Sequence, residues 1–139
     1  MSETNKPINT DLEPIEEEII PIEAAGHLIP VARSRVRWVE AVGDYVRLHT
    51  SDRSYLWRMS LSRLADQWAE LGFVLIHRSC LVLLPLITDM WMGPSGWNVQ
   101  VGFGPDAVNL PVSRRQVREV KQRWIQQHRP NGNSTYRAT

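Results

Sequence analysis

The sequence predicts a mostly β fold with one short helix and one C-terminal helix, on three observations. Apolar and polar residues trade places along several short runs, as one-sided antiparallel strands require. Gly, Pro, Asn, Asp and Ser collect between those runs, where strand-joining turns need them. Only two segments place apolar residues at helical spacing.

The strand pattern begins at His27 with "HLIPV", continues through "VRWVEAV" and "DYVRLHT", and resumes with "YLWRM" after a polar turn at residues 51–54. The first helix is "SLSRLADQWAEL": Leu61, Leu64, Ala65, Trp68 and Leu71 fall on one face, Ser60 is placed to cap it, and Gly72 to stop it. "FVLIH" and "CLVLL" follow on either side of Arg78 and Ser79. Next come "LITDMWM", a turn at residues 93–96, "WNVQVGF", a Gly-Pro-Asp turn and "AVNLPV". A second helix is expected over residues 113–128, with Ser113 as N-cap and Gln116 completing a capping box. Val117, Val120 and Trp124 share its apolar face. Trp38, Trp57 and Trp68 lie on patterned apolar faces, where core is the expectation.

With 139 residues the chain has room for one ordinary domain and a tail. Residues 1–27 hold seven acidic residues against Lys6 alone, a formal −6, and show no regular period, so a flexible acidic tail is expected there. The remainder carries fifteen basic and eight acidic residues, a formal +7 that would attract polyanions. The domain is expected over residues 28–128, and a second flexible tail over 129–139.

Cys80 is the only cysteine, which excludes an intramolecular disulfide and fits a reducing cytoplasm. No segment has the run of about 18 apolar residues that membrane insertion takes, and the N-terminus lacks a signal-peptide pattern. No metal is expected, because His27, His49, His77, His128 and Cys80 lack the close spacing of metal ligands. No cofactor is expected either, since no glycine of the turns precedes a phosphate-binding helix. An enzyme is not indicated: His77, Ser79 and Cys80 would need a base and an orienting acid, and strand alternation separates Cys80 from the other two. The arginines are the informative residues. Arg78 interrupts an apolar stretch, and Arg114 and Arg115 open a helix, where the macrodipole favours acids. A polyanionic partner explains them better, and Arg reads guanine bidentately.

In order, "WVEAVGDYVRLHTSD", "SLSRLADQWAELGFVLIHRSCLV" and "LPVSRRQVREVKQRW" resemble the LytTR DNA-binding domain family over residues 28–128. The resemblance implies an elongated fold of small antiparallel sheets packed in series, which binds double-stranded DNA through strand-joining loops and not through an inserted recognition helix. It implies base contacts from Tyr45, Arg78 and Arg114, and backbone contacts from Gly43 and Asp44; Ser79, Ser113 and Arg115 are added as backbone candidates because phosphate contacts usually outnumber base contacts. Leu75, Cys80 and Leu84 depart from the family's usual basic, aromatic and small or polar residues.

A transcriptional regulator on paired promoter repeats follows, with a homodimer formed on DNA and a regulatory partner protein as expectations. The residues before the domain are too few for a receiver domain, and the acidic tail is expected to fold over the basic domain and compete with DNA. Two alternatives stay open: a protein-interaction module using an exposed sheet edge, and a single-strand RNA binder using exposed aromatics.

Overall fold

In a computed structural model, residues 17–128 are described. Ten strands in three antiparallel sheets and two α-helices make up these residues. The chain divides between Arg35 and Val36 into two compact units.

The first unit holds a hairpin of β1 (Ile19–Ala24) and β2 (His27–Ala32). This corrects the expectation of a tail over residues 1–27, of which residues 1–16 lie outside the described residues, as does the expected tail at 129–139. Ala25 and Gly26 both take positive φ, 51° and 79°, as the tightest hairpin turns require. Ile20 and Ile22 face the same side as Val31 and all three are buried. The pattern is disguised because Pro21 pairs with Pro30. A two-stranded ribbon is all edge, so a proline nitrogen can point outward without costing a ladder bond.

The second unit opens on a five-stranded sheet: β3 (Trp38–Val42), β4 (Tyr45–His49), β5 (Ser54–Trp57), β6 (Phe73–His77) and β7 (Cys80–Leu83), in the order β5-β4-β3-β7-β6. Cys80, Leu81 and Val82 are all buried, which explains why β7 reads as an unbroken apolar run: both faces of the strand are covered. α1 (Leu61–Gln67) lies between β5 and β6, with Ser60 Oγ accepting from Arg63 N at 3.2 Å as expected of its cap. Gly72, at φ 101°, ends the following 3-10 turn.

β8 (Ile87–Gly93), β9 (Gly96–Val101) and β10 (Val108–Pro111) form a three-stranded sheet in the order β10-β9-β8. Its Ile87, Val99 and Val101 share a core with Val74, Ile76 and Val82 of the larger sheet and with Val120 of α2 (Val117–Gln127). The indole of Trp124 donates to Ile87 O at 2.9 Å and fastens α2 to this core. Trp68 is fully packed, whereas Trp38 and Trp57 are only half-buried.

The expected capping box at Ser113 is absent. α2 starts at Val117, and residues 113–116 form a turn in which Ser113 O accepts from Gln116 N and Val117 N. Ser113 N donates instead to Ile76 O at 2.8 Å, a long-range bond no local pattern encodes. Arg114 and Arg115 therefore sit in a turn before the helix, not in its first helical turn.

Candidate nucleic-acid interface

Two tight turns project from one end of the five-stranded sheet. β3 pairs with β4 so that Val42 faces Tyr45, leaving Gly43 and Asp44 as a two-residue turn. Gly43 has φ 61° and Asp44 stays at negative φ, the arrangement in which glycine is wanted at the first turn position. In the neighbouring hairpin His77 faces Cys80, leaving Arg78 and Ser79 as the turn. Glu40 faces Cys80 across β3 and β7, so both turns lie at the same end.

The second turn contains no left-handed residue, and the register between β6 and β7 shifts between Leu75 and His77. Ile76 is the extra residue of this bulge. Its carbonyl, out of the ladder, is what receives Ser113 N. On the other side, Ser79 O accepts from Ala41 N at 3.0 Å. Two backbone hydrogen bonds thus tie together the segments bearing Gly43, Asp44 and Tyr45, then Arg78 and Ser79, then Ser113, Arg114 and Arg115. All eight sequence-expected site residues fall in these three linked segments.

His77 holds the second turn closed. Its Nδ1 accepts from Ser79 N at 3.2 Å and lies 3.0 Å from Ser79 Oγ. Accepting at Nδ1 puts the ring proton on Nε2 in the neutral form. The Ser79 hydroxyl is engaged in this closure, and His77 serves as a hydrogen-bonded strand-end histidine. Glu40, the acid of the "WVEA" stretch, is also used inside the fold: its Oε1 lies 2.7 Å from His49 Nε2 and 3.7 Å from Arg47 Nε. The His49 ring in turn stacks on Trp38 with centroids 3.8 Å apart.

Arg78, Arg114 and Arg115 are exposed, and among the described residues none makes an ion pair. Tyr45 is 41% exposed, with Gly43 and Asp44 beside it. A concavity of about 610 Å³ is lined by Ala41, Gly43, Asp44, Tyr45 and Arg78 and by Arg58, Met59, Ser60, Leu61 and Ser62. A second groove, of about 480 Å³, runs along α2 between Arg114, Val117, Arg118, Lys121, Gln122 and Ile125. Arg114 belongs to this groove and Arg78 to the first.

Among the described residues no three His, Cys, Asp or Glu side chains cluster as metal ligands, and no helix is long and apolar enough to cross a membrane. Cys80 is buried beneath this end of the sheet, and its thiol is pushed up from 9.0 to about 12, by burial first and by the Glu40 carboxylate second. It therefore stays protonated near neutrality and is a poor nucleophile. The unfolded chain ionises a free thiol near pH 9 while the folded chain keeps it neutral. Stability from this source is full below pH 9 and lost as pH rises toward 12. Denaturant midpoints across this range should fall more steeply for the parent than for Cys80→Val, by on the order of 1 kcal/mol at pH 10. Parallel curves would contradict the assignment.

The model of the LytTr DNA-binding domain family matches residues 26–125. The chain belongs to that family. A solved LytTr DNA-binding domain from Bacillus cereus shares the fold with a TM-score of 0.63 at 18% identity, over 75% of this chain and 94% of that one. No curated protein matches the chain. The LytTr match starts inside the turn of the first hairpin and ends within α2, so it spans all three linked segments.

Within this LytTr fold, sequence reasoning missed the Arg58, Met59, Ser60, Leu61 and Ser62 part of the concavity's lining. Val46 pairs with Trp57 across β4 and β5, and the same register brings Arg58 opposite Tyr45. The Arg58 guanidinium stands 5.9 Å from the Tyr45 ring centroid, a cation–π distance. The hairpin register was the available signal: with a four-residue loop at 50–53, Tyr45 and Arg58 must meet.

Proposed function

We propose that the chain is a sequence-specific regulator that binds double-stranded DNA with the turn-bearing end of its five-stranded sheet. One observation carries this reading: three loop segments, two of which bear exposed arginines with no ion pair among the described residues (Arg78, and Arg114 with Arg115), are locked to one another by the Ala41–Ser79 and Ser113–Ile76 backbone bonds. A rigid frame with unneutralised guanidinium groups suits a surface of phosphates and base edges. Membership of a DNA-binding family supports the same conclusion.

In this reading Arg78 and Arg114 enter major grooves and contact bases, guanine O6 and N7 being the best match. Tyr45 adds an apolar or hydrogen-bonding contact. Arg115 takes a backbone phosphate, and Ser79 and Ser113 are further backbone contacts. Gly43 and Asp44 approach the backbone through main-chain N–H groups, since a carboxylate is repelled by phosphate. The role is binding, without catalysis or cofactor. The DNA is a pair of promoter repeats with one protomer on each, a homodimer forming there, and a partner protein contributes to regulation.

Binding should fall steeply with salt, in proportion to the phosphates neutralised. Titrating the chain onto duplex DNA and onto single-stranded RNA at several salt concentrations checks this, and a preference for the RNA would overturn the reading. Arg115→Ala should weaken cognate and scrambled duplexes about equally and reduce the salt slope by about 1. Asp44→Asn should tighten cognate and scrambled DNA about equally, because the repulsion it removes is one that every sequence shares. A loss confined to the cognate site in Arg115→Ala would move that residue from phosphate to base contact.

A further inference from the structure

We infer that Arg58, seated against the Tyr45 ring, is a further backbone contact that grips the phosphate strand flanking the groove read by Arg78; this rests on the duplex-binding reading above. Arg58 follows β5, the edge strand of the sheet, whereas Arg78 lies in the turn between β7 and β6. Three strand spacings, about 14 Å along the sheet, separate β5 from β7. The major groove is roughly 12 Å wide. With Arg78 over base edges, Arg58 lies beyond the groove wall and meets sugar and phosphate.

The setting suits such a grip. Arg58 is exposed, makes no ion pair among the described residues, and lines the same concavity as Arg78. The Tyr45 ring limits where its guanidinium can go, which reduces the ordering cost when a phosphate is bound. Ser60 and Ser62 line the wall beside it, with their hydroxyls 3.0 Å apart. Asp44 is the acid among the residues that line this concavity.

The test is the salt dependence of binding by the full chain to a duplex chosen from a random pool, compared for the parent, Arg58→Ala, Arg58→Lys and Arg78→Ala. Arg58→Ala should flatten the slope of log K against log salt by about 0.9, the share of one phosphate, and leave sequence preference unchanged. Arg58→Lys should keep the parent's slope. An unchanged slope in Arg58→Ala, with Arg78→Ala losing the cognate site, overturns the role of Arg58 and leaves the wider reading standing. A loss of sequence preference in Arg58→Ala also overturns it, by making Arg58 a base reader. If the parent fails to bind duplex at all, the wider reading fails and this inference with it. Thermal melts should match for all four proteins, because both arginines are exposed.

Discussion

Arg78→Ala and Arg114→Ala should each weaken binding to a cognate duplex by about 1 to 3 kcal/mol, roughly five- to 150-fold, while binding to scrambled DNA changes far less. The asymmetry follows from what each side chain can do. A guanidinium that donates two hydrogen bonds to one guanine loses both when truncated, and the base edge is left facing nothing. A guanidinium on phosphate loses only charge, which every sequence shares. Arg78→Lys is the informative companion, since lysine keeps the charge but not the planar fork. It should retain affinity for scrambled DNA and lose discrimination at one position of the site. Electrophoretic mobility shifts on duplexes varied one base pair at a time measure this. Equal losses on all sequences would remove Arg78 or Arg114 from base reading.

These variants are expected to fold as the parent does, because neither side chain is buried or paired. Their positions nevertheless depend on the core. The bulge at Ile76 places a carbonyl where Ser113 N can reach it, and the buried Ile76 side chain holds that bulge in place. The Arg78 turn and the Arg114 turn are then one mechanical unit, joined through Ile76 and Ser113, 37 positions apart. A loop-based reader needs such support, because a side chain displaced by about 1 Å loses most of a bidentate contact.

Trp68→Ala has the largest expected effect on stability. Trp68 is 2% exposed; its ring centroid lies 5.0 Å from that of Phe73 and 6.5 Å from that of Trp57. Its main chain closes α1 as well: Trp68 N donates to Leu64 O at 2.8 Å, and Trp68 O accepts from Leu71 N at 3.0 Å. The alanine variant keeps the backbone bonds and loses the ring, leaving a cavity between α1 and the sheet. A cost of about 3 to 5 kcal/mol is expected. Against a total of about 5 to 15 kcal/mol for a domain, that lowers the melting temperature by more than about 12 °C. Trp68 lies at the opposite end of α1 from Ser60, so sequence preference at low temperature should survive. A shift in melting temperature below about 3 °C would contradict this packing, and a changed sequence preference would contradict the separation of core from interface.

What could be read from the sequence divides along the range of the interactions. The alternation in β3 and β4, the Ser60 cap and the Gly72 stop are local, and the structure keeps them. The turn at Arg78 was legible because two apolar runs flank it. Strand β1 was obscured by Pro21, which reads as a breaker until Pro30 is seen opposite it in a ribbon with free edges. Ser113 looked like an N-cap because Ser, then Gln three residues later, is the local signature. In the folded chain its N–H goes to Ile76, and the Gln116 amide reaches Leu75 O at 3.4 Å. Family resemblance pointed to Tyr45, Arg78 and Arg114. It did not point to Arg58, whose place beside Tyr45 depends on the β4–β5 register and on nothing in its own neighbourhood.

The central claim is that this end of the sheet reads duplex sequence, and selection of bound fragments from a pool of random duplexes tests it most directly. The account predicts enrichment of one motif in two copies at fixed spacing. It also predicts that parallel selections with Arg78→Ala and Arg114→Ala each lose preference at a different position of that motif. A parent selection that returns no motif, or returns the same one undiminished from both variants, would contradict it.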